Sequence, residues 1–169
     1  MAYNNKPLSE YIFFYFSGMI VGVPVAVFFE SIFHIWFSTL GVATIIAPLV
    51  EEFAKAQSLF YRYEKSPRHL MQLGFLSGLG FGLAEFFFYI YRGVPFLIRL
   101  PAIGFHAAGT SIIGYGISKQ NTFTYYLLAV TLHFLNNLYA ALGLWLPGGL
   151  TATITAYLIA LTLYIKSTK

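Results

Sequence analysis

The sequence has 169 residues and a formal net charge of +4; 58% of it is hydrophobic and only 9% is charged. Soluble domains carry about 25% charged residues, so this composition excludes an ordinary soluble enzyme and describes an all-α, polytopic membrane protein. The basic residues stand singly at the ends of apolar runs and form no dense patch, which argues against a nucleic-acid partner; the absence of cysteine excludes disulfides and thiolate metal sites.

A span needs about 20 apolar residues, so one transmembrane domain over 1–169 has room for about six helices and little else. The opening ten residues are polar, and Tyr11 to Phe29 then runs without a charge. No short apolar core with a small-residue cleavage site is present, so this is expected to be a retained span rather than a signal peptide. Glu30 to Leu40, with His34, Trp36 and Phe37, suits the bilayer boundary or an extension of the first helix. A second span is expected from about Gly41 to Tyr61, with Pro48 loosening it one turn before Glu51 and Glu52, and a charged loop from Arg62 to His69.

The third span, Leu70 to Tyr91, carries Gly74, Gly78 and Gly82 at the four-residue spacing that lets helix backbones approach closely. Gly93 and Pro95 break the chain, and Pro101 fits the first turn of a fourth span ending near Ile117. Residues 119–122 turn the chain into a fifth span, Phe123 to Leu146. Pro147-Gly148-Gly149 reads as the turn before a sixth span that ends at Lys166. With six spans, Lys6, Arg62, Lys65, Arg68, Lys119, Lys166 and Lys169 fall on one side, and Arg92 and Arg99 on the other. The positive-inside rule then puts both termini in the cytoplasm. No internal repeat or low-complexity tract is evident.

Ionisable groups inside such spans are costly, about 2.5 to 3.5 kcal/mol each on insertion scales, and so mark function. Glu51, Glu52 and Lys55 lie on the second span, Glu85 on the third, His106 on the fourth, and His133 and Asn137 on the fifth. At about 1.5 Å of rise per residue all of these helices bring their polar groups into the outer half of the membrane, where one shared water-filled cavity is the economical arrangement. Glu51 and Lys55, Phe81 and Glu85, and His133 and Asn137 are each four residues apart and share a helix face. Two carboxylates exceed what one lysine can neutralise. Asn136 points elsewhere and reads as structural, and His34 and His69, near span ends, read as interface residues.

The series Glu51-Glu52-x-x-Lys55, Phe81-x-x-x-Glu85, His106 and His133-x-x-x-Asn137, in that order on successive spans, resembles the PrsW branch of the CAAX protease and bacteriocin-processing superfamily. Relatives on the CAAX side have Arg at the Lys55 position and His at the Glu85 position. The resemblance covers about Ala47 to Asn137 and implies a catalytic core over about 41–146. It implies an intramembrane endopeptidase that cleaves a membrane-anchored protein or peptide near the outer face. By the resemblance, Glu51 is the general base on a water that His106 shares, and His133 and Asn137 stabilise the oxyanion. Glu52 and Glu85 orient or balance the histidines, and Lys55 offsets the carboxylates.

No cofactor is expected, because His-Glu-x-x-His, the persuasive zinc spacing, is missing. Zinc on Glu51, Glu85, His106 and His133 is the mechanistic alternative. A proton-coupled transporter or channel and a non-catalytic membrane scaffold remain as alternative functions. The compact, span-only design suggests a prokaryotic cell membrane.

Overall fold

A computed structural model describes residues 8–62 and 65–167, so Lys6 and Lys169 lie outside the described residues. Six helical stretches follow one another. They are α1 (Leu8–Phe33), α2 (39–62), α3 (Pro67–Tyr91), α4 (Phe96–Ser118), α5 (Thr122–Ala141) and α6 (Trp145–Lys166). No strand occurs among the described residues. Four of the helices, α1, α3, α4 and α6, are long and apolar enough to cross a membrane by themselves. The other two, α2 and α5, carry Glu51, Glu52, Lys55, His133 and both asparagines of the cavity wall.

Two helices are interrupted by wider π turns. In α1 the π turn is Ser17–Gly22. In α2 it is Val42–Ile46, immediately before Pro48. Proline has no N–H to give and its ring crowds the carbonyl four residues back; a wider turn at that point relieves the crowding. Pro48 therefore loosens α2 just ahead of the carboxylates, as the sequence predicts. Beyond Ala56 the helix tightens to a 3₁₀ form over Gln57–Arg62.

Several expected boundaries move. Glu30 to Phe33 extends α1, leaving only 34–38 as the turn into α2. Helix α3 begins at Pro67, where Ser66 Oγ accepts from His69 N at 3.3 Å and caps the first turn. Pro101 does not open the fourth span, because α4 already starts at Phe96 after Pro95, and Pro101 lies inside it. The expected turn at Pro147-Gly148-Gly149 is instead the first part of α6. The real break is Gly143, whose φ of +79° is the left-handed conformation that ends a helix. Proline is tolerated in a first turn, and Gly148 is needed for packing, since a β-carbon there would strike Tyr139.

Helix α4 lies at the centre, buried along most of 105–117. It packs on α3 along the expected glycine ladder: β-carbons at Gly74 and Gly78 would collide with the Thr110 and His106 carbonyls, and Gly82 sits against Ile103. A second glycine contact, not anticipated, joins α3 to α1, with Gly80 under the Tyr15 carbonyl and Gly18 against the Ser77 carbonyl. These close approaches set how far the functional side chains on α2, α3 and α4 must reach.

Candidate active site

Helices α2, α3, α4 and α5 deliver their polar side chains to one point. Glu51, Glu52, Lys55, His106 and His133 are all buried, Glu52 and Lys55 completely. Lys55 Nζ lies 2.6 Å from Glu52 Oε1 and 2.8 Å from His106 Nδ1. Its backbone is held as well, since Ser77 Oγ on α3 donates to the Lys55 carbonyl at 2.7 Å. The Phe81 ring packs against both groups, 5.1 Å from Lys55 Nζ and 5.2 Å from the His106 ring. The expected pairing of Phe81 and Glu85 on one face is realised, because His106 touches both.

The hydrogen-bond partners fix the two imidazoles differently. His106 Nδ1 accepts from Lys55, so its Nε2 carries the hydrogen and donates to Glu85 Oε2 at 2.7 Å. His133 Nδ1 donates to Glu52 Oε1 at 2.9 Å. That leaves His133 Nε2 with a free lone pair, 3.8 Å from Glu51 Oε2. The two rings meet edge to face at 5.2 Å, and Phe105 packs against both.

Charge pairing separates the carboxylates. Glu52 has Lys55, and Glu85 has Arg99, whose Nη2 is 2.9 Å from Glu85 Oε2. Glu51 has no ion pair with lysine or arginine among the described residues. Its Oε2 is buried without a hydrogen-bond partner. Glu52 Oε2 is likewise unbonded and rests near Gly109. The cluster opens into a cavity of about 1030 Å³ lined by Glu30, Ser31 and His34 of α1, Glu51 of α2, Glu85 of α3, Arg99 of α4 and Asn136 and Asn137 of α5, among others.

Two residues of this site were not among the expected ones. Glu30, half-buried on α1, is within hydrogen-bonding reach of Glu51. Arg99, read from sequence as a topology signal, turns inward to Glu85 and stacks 3.9 Å from the centre of the Tyr89 ring. Both stand at the edge of an apolar run, where a charge passes for a boundary marker. Their signal was the missing counter-charge of Glu85 and the unbroken helical register from Phe29 into Glu30.

Asn137 lines the cavity but stands apart from the cluster, its Nδ2 donating to the Ala43 carbonyl at 2.8 Å in the π turn of α2. Asn136 also lines the cavity and donates to Asn137 Oδ1. His69, in the first turn of α3, is buried, 2% exposed, and its Nε2 meets Glu10 Oε2 at 2.9 Å. His34 is exposed and lies on the cavity wall.

A helical bundle whose carboxylates and imidazoles converge on an internal cavity has the groups that an intramembrane hydrolase requires. Residues 6–165 match the PrsW family of intramembrane metalloproteases, and the chain is a member of that family. No curated protein and no solved structure matches it.

The family description implies a metal, and the donor set fits one. Glu51, His106 and His133 each offer a ligand atom within 4.8 Å of the others, all buried. Glu51 Oε2 is an unpartnered oxygen, and the Glu52 bond to His133 Nδ1 is the carboxylate support that orients a metal-binding imidazole. His106 joins the set only by releasing one nitrogen from Lys55 or Glu85.

Proposed function

We propose that this protease hydrolyses a peptide bond of a membrane-anchored protein with water activated by Glu51. The observation that carries the reading is the buried, unpartnered Glu51 Oε2 facing the free Nε2 of His133 at 3.8 Å. A water between them has two acceptors for its hydrogens, which leaves its oxygen lone pairs toward the cavity. Glu51 takes one proton as the water oxygen attacks the scissile carbonyl, then passes it to the departing amine. His133 shares the water in place of His106, because both His106 nitrogens are already engaged.

Glu52 holds the His133 tautomer, and Lys55 balances Glu52. Glu85 holds His106 and is balanced by Arg99. The developing oxyanion needs donors. Asn137 keeps a second amide hydrogen beyond the one given to Ala43, and Arg99 Nε is unbonded. Glu30 extends the acidic wall toward the mouth. The six helices form six spans with both termini cytoplasmic, so the cavity faces the outer leaflet of a prokaryotic cell membrane. The wider placement with the CAAX endopeptidases rests on the same ordered motifs.

A second reading is favoured by the Glu51, His106 and His133 cluster. Zinc held there would acidify a bound water and polarise the substrate carbonyl. One experiment separates the two. Purified protein in liposomes is stripped with a chelator and given a tagged single-span reporter. Cleavage that survives stripping and disappears in Glu51→Gln and His133→Ala supports the glutamate mechanism. Cleavage restored only by zinc supports the metal, and cleavage by both variants at the parent rate overturns the site.

A further inference from the structure

We propose that the substrate's membrane-borne segment reaches the cavity sideways, through the seam between the outer halves of α1 and α3. The proposal rests on the protease reading above and adds the route to it. Along the inner half the two helices are in backbone contact, with Gly18 against Ser77 and Gly80 against Tyr15. Further along, Gly22 lies against the Phe81 side chain. Past the π turn Ser17–Gly22, the segment Val23–Phe33 leans on α2 and scarcely touches α3. Val27, Glu30 and Ser31 of this segment and Phe88, Tyr89 and Arg92 at the end of α3 line the same cavity. Val27 and Phe88 are 53% and 51% exposed.

Four other seams are held by particular contacts. Between α2 and α5, Asn137 bonds the Ala43 carbonyl and Tyr126 Oη bonds the Leu49 carbonyl at 2.8 Å. Tyr139 of α5 sits on Gly148 of α6. Helices α4 and α6 meet where Tyr157 covers Gly104 and Thr153 Oγ1 donates to the Pro101 carbonyl at 3.1 Å. Glu85 and Arg99 tie α3 to α4.

The chemistry of the opening selects a protein segment over lipid. Its walls offer Glu30, Ser31 and Arg92 beside the apolar Val27 and Phe88. A peptide that unwinds in a bilayer must find partners for its freed backbone N–H and C=O groups. An acyl chain has no donor to give Glu30 and gains nothing from such a wall.

The sequence contains no cysteine, so Val27→Cys with Phe88→Cys gives the only two thiols for a cleavable bifunctional maleimide. The wild type and the linked protein in liposomes are each offered two probes: a tagged single-span reporter, and a soluble peptide carrying the same target sequence. The expected result is at least about a tenfold loss on the single-span reporter with the soluble peptide still cut, reversed when the linker is cleaved. Undiminished cutting of the reporter by the linked form, or equal loss on both probes, overturns the route. Wild-type protein that cuts neither probe overturns the protease reading itself, and the route with it.

Discussion

The chain builds two carboxylate and imidazole clusters, one at each end of the bundle, and they are finished differently. At the end where α1 begins, Glu10 Oε1 meets Arg62 Nε at 2.8 Å and Oε2 meets His69 Nε2 at 2.9 Å. Both oxygens are spent, and the cluster fastens α1, α2 and α3 together. In the cavity, Glu52 Oε1 has Lys55 and His133 and Glu85 Oε2 has His106 and Arg99, but Glu51 has no lysine or arginine partner among the described residues and keeps its Oε2 bare beside a histidine with a bare nitrogen. Identical residue types thus serve as a clamp where both oxygens of the carboxylate are bonded and as a reaction site where a carboxylate oxygen and an imidazole nitrogen are withheld. The surplus acceptor, and not the presence of charge, separates the two.

Four substitutions sharpen or break this contrast. The largest effect is expected from Glu51→Gln, which removes the withheld base and should lower cleavage of a single-span reporter by about 10²- to 10⁴-fold with the fold intact by circular dichroism. Cleavage at the parent rate would erase the distinction. Next comes Lys55→Met, which strands Glu52 in a fully buried position. A loss of about 3 to 5 kcal/mol in detergent unfolding is expected, partly recovered in the double variant with Glu52→Gln. No recovery would mean that the pair is not what Lys55 contributes.

Arg99→Gln removes a donor for the oxyanion and unbalances Glu85 at a partly exposed position, and should slow cleavage by about tenfold, roughly 1.4 kcal/mol in the barrier, without changing the unfolding midpoint. A shifted midpoint with unchanged cleavage would make Arg99 a clamp residue like Arg62. The smallest effect belongs to Glu10→Gln. Arg62 is half exposed there, so the ion pair is worth about 1 kcal/mol or less, and cleavage of the reporter should be unaltered. A cleavage defect in Glu10→Gln would show that the two clusters are coupled.

Much of the cavity was legible because charge is conspicuous in an apolar span. Glu51, Glu52, Glu85, His106 and His133 each interrupt such a run, and their helical spacing predicts the faces they occupy. Glu30 and Arg99 were hidden by the same rule: near the end of a run a charge is ordinary, and only the three-dimensional path of α1 and α4 turns them inward. The burial of His69 was hidden for that reason too, its partner Glu10 lying near the start of the chain. Proline misled the boundaries. Pro101 reads as a helix start and Pro147 as part of a turn, yet one sits within α4 and the other just inside α6, because Pro95 and Gly143 do the breaking.

The π turn of α1 also constrains the length of the chain. A wide turn holds an extra residue relative to a regular α-helix, so Val23–Phe33 carries a register that an uninterrupted helix would not give it. Deleting one residue from the regular turns between Val23 and Phe29, where no wide turn absorbs the change, would swing Glu30 by about 100°. Glu30 would then look into lipid while Glu10 stayed in place, so this segment should tolerate changes of side chain far better than changes of spacing.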